Sequence, residues 1–302
     1  MKIVLFGKDG QVGEAIRRAC PVGWDLVCYG RREAPLDDLQ RIRQLLTTEM
    51  PDVIINAAAY TAVDRAETEP ELAGLINRDA PALMARTARE TGAWLIHYSS
   101  DYVYDGKKTI PYVESDPPNP LGIYGRTKLD GDLAIAASAC HSLIFRVSWV
   151  YAFGHRNFPQ AILDLARERS SLNVVGDQIG APTDAAFIAA VTMMALKKLA
   201  REREAEQLGG LYHLSPAGDV SRAELARFLV AEARAAGAEL ALDPVDIRDI
   251  STMDYPQPAA RPLNSRLDST RISQVLSFET PDWREAMRAW IANAIRGDAR
   301  ES

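Results

Sequence analysis

The chain has 302 residues, 47% hydrophobic and 25% charged, with 41 acidic against 35 basic side chains and a net charge of −6. This length allows one large core or two smaller ones, and the composition excludes a disordered chain, a collagen and a disulfide-stapled miniprotein. A mildly acidic balance also argues against a nucleic-acid partner, which asks for a basic surface. From the start of the chain, the apolar run at 3–6 predicts a strand, followed by a glycine-rich turn. A strand at 26–29, a helix at 39–50 closed by Pro51, and a strand at 53–56 come next. A long helix is expected over 70–91, stopped by Gly92, then a strand at 94–98, a helix over 121–139 and a strand at 143–147. Continuous apolar strands separated by helices point to a doubly wound parallel α/β sheet of the Rossmann type.

Beyond Val150 the pattern loosens. Helices are expected at 158–169 and 183–206, and a strand at 211–215. Ser221 and Glu224 have capping-box spacing and open a helix to about Ala236. A proline-rich stretch follows, and a final helix begins near Pro281. Residues 1–150 therefore read as a dinucleotide-binding domain. Residues 151–302 read as a smaller C-terminal α/β domain for the substrate, with segments between 170 and 220 expected to return to the first sheet. The apolar stretch 185–196 is shorter than the ~20 residues of a membrane span. No membrane association is expected. The three cysteines lack metal-ligand spacing, which fits free thiols in the cytoplasm.

Gly7, Gly10 and Gly13 stand between the first strand and the first helix. Glycines there permit a tight turn, and the helix N-terminus draws a pyrophosphate to its free N–H groups. A plain strand-to-helix turn is the competing explanation. The second strand ends at Tyr29-Gly30-Arg31-Arg32, without the carboxylate that would accept from an adenosine ribose. Arg31 and Arg32 suit a 2′-phosphate, so NADPH is the expected cofactor, with NADH as the alternative. Glu33 could instead neutralise either arginine.

Tyr124 and Lys128 are one helical turn apart, so both can face one cleft. An ammonium near the phenol would lower its pKa and make Tyr124 a proton donor to a ketone. Tyr104 and Lys108 share that spacing, but Asp105-Gly106 between them predicts a turn, so Tyr104 is rejected. Ser100 follows a strand end, where doubly wound sheets present groups to a ligand.

The glycine turn, strand-end serine and Tyr-x-x-x-Lys pair resemble the extended short-chain dehydrogenase/reductase family. Longer stretches look closer to its dTDP-4-dehydrorhamnose reductases: residues 56–64, 97–103, 145–151, 177–183 and 261–267 carry that likeness. The resemblance implies hydride transfer to C4 of a dTDP-linked 4-keto-6-deoxy sugar, with Ser100, Tyr124 and Lys128 catalytic. It also implies that Gly10, Gln11 and Val12, together with Ala58, Ala59, Tyr60 and Thr61, line the cofactor. Ser100, Asp101, Tyr124 and Trp149 would meet the substrate, with Asn157, Gln178, Ala181 and Arg261 further out. The family commonly has Thr where Ser100 stands, so a hydroxyl is retained. Some members form dimers bridged by Mg2+; here Ala15 and Ala186 occupy the corresponding positions, beside Glu14 and Asp184. No metal and a monomer or weak homodimer are therefore expected. The alternatives are a nucleotide-sugar epimerase and a non-catalytic dinucleotide-binding regulatory subunit.

Overall fold

A computed structural model describes residues 1–201 and 205–301. The elements run β1 (Lys2–Phe6), α1 (Gln11–Ala19), β2 (Asp25–Tyr29), α2 (Leu39–Glu49), β3 (Val53–Asn56), α3 (Val63–Ala66), α4 (Pro70–Gly74), α5 (Ala80–Thr91), β4 (Trp94–Ser100), α6 (Ile123–Ser138) and β5 (Ser142–Val147). The remainder is β6 (Val150–Tyr151), α7 (Phe158–Glu168), β7 (Leu172–Val175), β8 (Ile179–Gly180), β9 (Thr183–Asp184), α8 (Ala185–Arg201), β10 (Gly210–His213), β11 (Val220–Ser221), α9 (Arg222–Ala235), β12 (Ile247–Ile250), α10 (Thr270–Leu276) and α11 (Trp283–Glu301).

Six strands form one parallel sheet in the order β10-β5-β4-β3-β1-β2. Strand β3 is buried along its whole length, and β4 and β5 along all but their first residues. Their near-continuous apolar sequences follow from that two-sided burial. One face packs on Ile16 of α1, Ile188 and Val191 of α8 and Ile272 of α10. The other packs on Ile42 and Leu46 of α2, Met84 of α5 and Ile135 of α6. A separate core joins α7, α9 and α11 with β7 and β12 around Leu229, Trp283 and Met287. Thus α8 and β10, late in the chain, pack with the large sheet, while α9 and α11 do not.

The chain turns to opposite sides of β1 to reach β2 and β3, so the carboxyl ends of β1 and β3 form the switch-point crevice where doubly wound sheets bind ligands. Gly7 has φ +86°, and a Cβ there would lie 2.7 Å from the Ala57 carbonyl carbon. Only glycine lets these two strand-end loops touch.

The region read as one helix over 70–91 is α4 and α5 joined by a π turn at Leu75–Asp79. Pro81 explains the interruption: it has no N–H to offer the Asn77 carbonyl one turn back. That carbonyl lies where a Cβ on Gly131 of α6 would come within 2.2 Å. The helix predicted over 183–206 is described as α8 to Arg201; residues 202–204 of that prediction lie outside the described residues. The capping box at Ser221 is formed, with both reciprocal bonds. Cys20, Cys28 and Cys140 are free and half-buried. Among the described residues, no helix is long and apolar enough to cross a membrane.

Candidate active site

The glycine turn runs from β1 into α1. Gly10 is the helix N-cap and no side chain caps it, so the first N–H groups of α1 face the crevice without a side-chain acceptor. A Cβ on Gly10 would meet only the Gly7 carbonyl oxygen, at 3.4 Å, whereas one on Gly13 would come within 2.0 Å of that atom. Gly13 therefore closes the turn and Gly10 leaves it open to a ligand. Val12 packs against the core, and the Gln11 side chain turns away, donating to the Val150 carbonyl at 3.3 Å and accepting from Asn157 at 3.2 Å. Gln11 thus ties the glycine turn to the segment beyond β5.

At the end of β2, Glu33 accepts from the Gly30 N–H and from Lys8. Neither Arg31 nor Arg32 has a hydrogen-bond partner among the described residues, and both are exposed. Across the crevice, Ala58 donates to the Asn56 side chain. Ala59 is half-buried and Thr61 exposed. Tyr60 is clamped by Asn77, which accepts its N–H at 2.8 Å and donates to its carbonyl at 3.1 Å. Asn77 also donates to Thr127 of α6 at 3.2 Å. It sits in the π turn and links the cofactor-side loop to the helix of Tyr124, a role that a regular-helix reading of 70–91 hid.

Tyr124 lies in the first turn of α6, and Lys128 one turn later. The helix approaches the turn after β4 so closely that a Cβ on Gly125 would stand 2.1 Å from the Tyr102 carbonyl oxygen. That approach sets Tyr124 beside Ser100 and edge-on to the Tyr102 ring, with centroids 5.3 Å apart. Ser100 donates to Asp101 at 3.0 Å and accepts the Tyr102 N–H at 3.2 Å.

Tyr124 is half-buried, and desolvation raises its pKa; the Ser100 hydroxyl pulls the other way. The sequence had suggested a phenol acidified by Lys128. Instead, the Lys128 ammonium donates to the Tyr98 carbonyl at 2.6 Å and lies 3.2 Å from His97 Nε2. Burial brings it down to about 8, against the pull of Asp132. His97, held also by Asn56 at 3.1 Å, is kept neutral by burial and by the Lys128 charge.

Asp101 is 3% exposed, and its Oδ2 has no hydrogen-bond partner among the described residues. Desolvation pushes its pKa up to about 6, opposed by the Ser265 and Ser100 hydroxyls and the Arg222 charge. Arg261 stands 6.0 Å from the Tyr102 ring centre and is paired with Asp64 at 2.8 Å. Trp149, Asn157 and Gln11 line a cleft of about 230 Å³. Gln178 is engaged by Thr252 at 3.1 Å, and Ala181 is buried, with its carbonyl accepting from the Ser148 and Thr183 hydroxyls. Tyr104 is buried, stacked on Tyr112 and hydrogen-bonded to His213 and Arg146. Glu14 is engaged by Arg18 and by His155 at 2.7 Å, and Asp184 caps the Ala186 N–H. No cluster of three or more metal-ligating side chains is found among the described residues.

A family model described as the RmlD substrate binding domain matches residues 1–295. A dTDP-4-dehydrorhamnose reductase of Escherichia coli K12 is 41% identical over 296 residues, covering 96% of this chain and 97% of the relative. One from Burkholderia thailandensis is also 41% identical, over 98% and 99% of the two chains. The solved structure of a dTDP-4-dehydrorhamnose reductase from Bacillus anthracis, in complex with NADP, is 28% identical with a TM-score of 0.86, covering 97% of this chain and 100% of that one.

Proposed function

This chain belongs to the RmlD substrate binding domain family, and from that membership we propose that it is an NADPH-dependent reductase. Its reaction is reduction of the C4 ketone of dTDP-4-dehydro-β-L-rhamnose to give dTDP-β-L-rhamnose. One observation carries the reading. An open glycine turn and a Ser100–Tyr124–Asp101 cluster share the carboxyl edge of one parallel sheet. We further propose that the core around the large sheet is the cofactor unit and that the α7–α9–α11 core is the substrate unit.

The residues present fit a dinucleotide. The uncapped N-terminus of α1 offers N–H donors and a positive dipole end to a pyrophosphate. The unpartnered guanidiniums of Arg31 and Arg32 suit a 2′-phosphate. Bound NADPH supplies the hydride that reduces a ketone. The remaining chemistry falls to the chain itself. Tyr124 is stored in its protonated form, which a proton donor requires, and passes that proton to the ketone oxygen. Ser100 hydrogen-bonds the same oxygen and then the phenolate left behind. The Lys128 ammonium gives one hydrogen to the Tyr98 carbonyl and lies against the His97 ring, and its remaining donor capacity serves a cofactor ribose. Asp101, with its unused buried oxygen, accepts from a sugar hydroxyl. Three unpaired thiols suit a cytoplasmic setting. With Glu14 and Asp184 engaged inside the chain, the protein works as a monomer or weak homodimer without a metal bridge.

The test is NADPH oxidation against a panel of nucleotide-linked 4-keto sugars. Turnover with the dTDP-linked 6-deoxy substrate is the expected result. Turnover only with UDP- or GDP-linked sugars, or none at all, would refute the proposal.

A further inference from the structure

On the reading above, we propose that Arg222 is the side chain that binds the diphosphate of the nucleotide sugar. No sequence pattern singles this residue out; it is simply the first residue of α9, after the capping Ser221. Its guanidinium carbon lies over Trp149, 3.5 Å from the ring centre, and 4.8 Å from the centre of the Phe158 ring. Among the described residues its side chain has no hydrogen-bond acceptor. Burial pulls its pKa down only to about 10, so it is charged at neutral pH. Half-buried and near the Asp101 carboxylate but bonded to no acceptor, it keeps its in-plane donors available to an anionic ligand. Stacking leaves those donors pointing along the plane, the geometry that receives two oxygens of a phosphate.

The surroundings are built for this arrangement. Among the described residues, four non-glycine residues have positive φ: Met50, Ala139 and Ser277 close helices, and the fourth is Trp149, at +47°. A bulky residue in that region is strained, and such strain collects at functional positions. The other side of the indole rests on Gly180, where a Cβ would fall 2.7 Å from Trp149 Cε2. Trp149 and Arg222 line the cleft shared with Gln11 of the glycine turn. Of the other guanidiniums nearby, Arg261 is already neutralised by Asp64, and Arg156, on the exposed rim of the same cleft, is stacked on no ring among the described residues. Neutral sugar hydroxyls are served by Asp101, and the Trp149 face is covered by the guanidinium, which leaves the diphosphate as the group that Arg222 fits.

The test is calorimetric titration of the full chain with dTDP and with thymidine, comparing wild type, Arg222→Leu and Arg222→Lys, with NADPH affinity as the check on folding. Arg222→Leu is expected to weaken dTDP about 10–100-fold, the scale of charge-assisted hydrogen bonds. Thymidine should change less than about twofold, and Lys should recover part of the dTDP affinity. Two results overturn the proposal. One is dTDP binding within about twofold of wild type with NADPH binding intact. The other is an equal loss for thymidine, which would make Arg222 a base contact or a prop for Trp149. If Arg222→Leu also loses NADPH, Arg222→Gln, planar but uncharged, carries the same comparison. If wild type prefers UDP or GDP, the dTDP-sugar reading fails separately; Arg222 is then decided by that diphosphate against its own nucleoside.

Discussion

Individual side chains decide which charges are available to ligands. Glu33 is the instructive case. Adjacent in sequence to Arg32, it could have neutralised the arginine pair, yet it is drawn to Lys8 and the Gly30 N–H. Arg31 is therefore free to meet a 2′-phosphate, and Arg31→Ala should raise the Kd for NADPH more than that for NADH. Equal losses in the two titrations would remove Arg31 from that role. Asp101 carries a pH prediction. It must be ionised to accept from a substrate hydroxyl, and burial raises its pKa to about 6. The pH profile of kcat/KM should fall as pH drops through about 6, and Asp101→Asn should abolish that limb. The sign for stability is opposite. The folded pKa lies above the unfolded value of about 3.9, so ionising Asp101 opposes folding. Its contribution falls from about pH 4 to about pH 6 and is constant above that. The Tyr-x-x-x-Lys spacing and the serine were legible from sequence. The direction of the Lys128 ammonium was not, because Tyr98 and His97 reach it from strand β4.

Secondary-structure elements hold these side chains through close backbone approaches. Helix α6 reaches the turn after β4 because position 125 has no side chain. Gly125→Ala should cost about 1–3 kcal/mol, the usual range for overpacking, and should lower kcat by moving Tyr124 from Ser100. A thermal melt and a rate measurement check both effects; an unchanged melting temperature together with an unchanged kcat would contradict the packing argument. The strands and helices of the large sheet were readable because their apolar runs are long enough to show a period. The two-residue strands β6, β8, β9 and β11 were not, since two residues carry no periodicity. The π turn at Leu75–Asp79 was masked for a different reason. Its apolar pattern is helical on both sides, and only Pro81 hinted at the break.

At the scale of the molecule, the catalytic edge of the sheet and the α7–α9–α11 core face each other through Gln11, Asn157, Trp149 and Arg222. The doubly wound sheet and its glycine turn could be anticipated from local order along the chain. Arg222 could not, because its meaning comes from an aromatic ring far away in sequence. The central claim is that Tyr124, seated beside Ser100 on the sheet edge, gives the proton that accompanies hydride transfer. Single-turnover NADPH oxidation with the dTDP-linked 4-keto-6-deoxy sugar, comparing wild type with Tyr124→Phe, tests it most directly. A drop of about 10²–10⁴-fold with NADPH affinity retained is the predicted result, and a variant rate within a few-fold of wild type would contradict it.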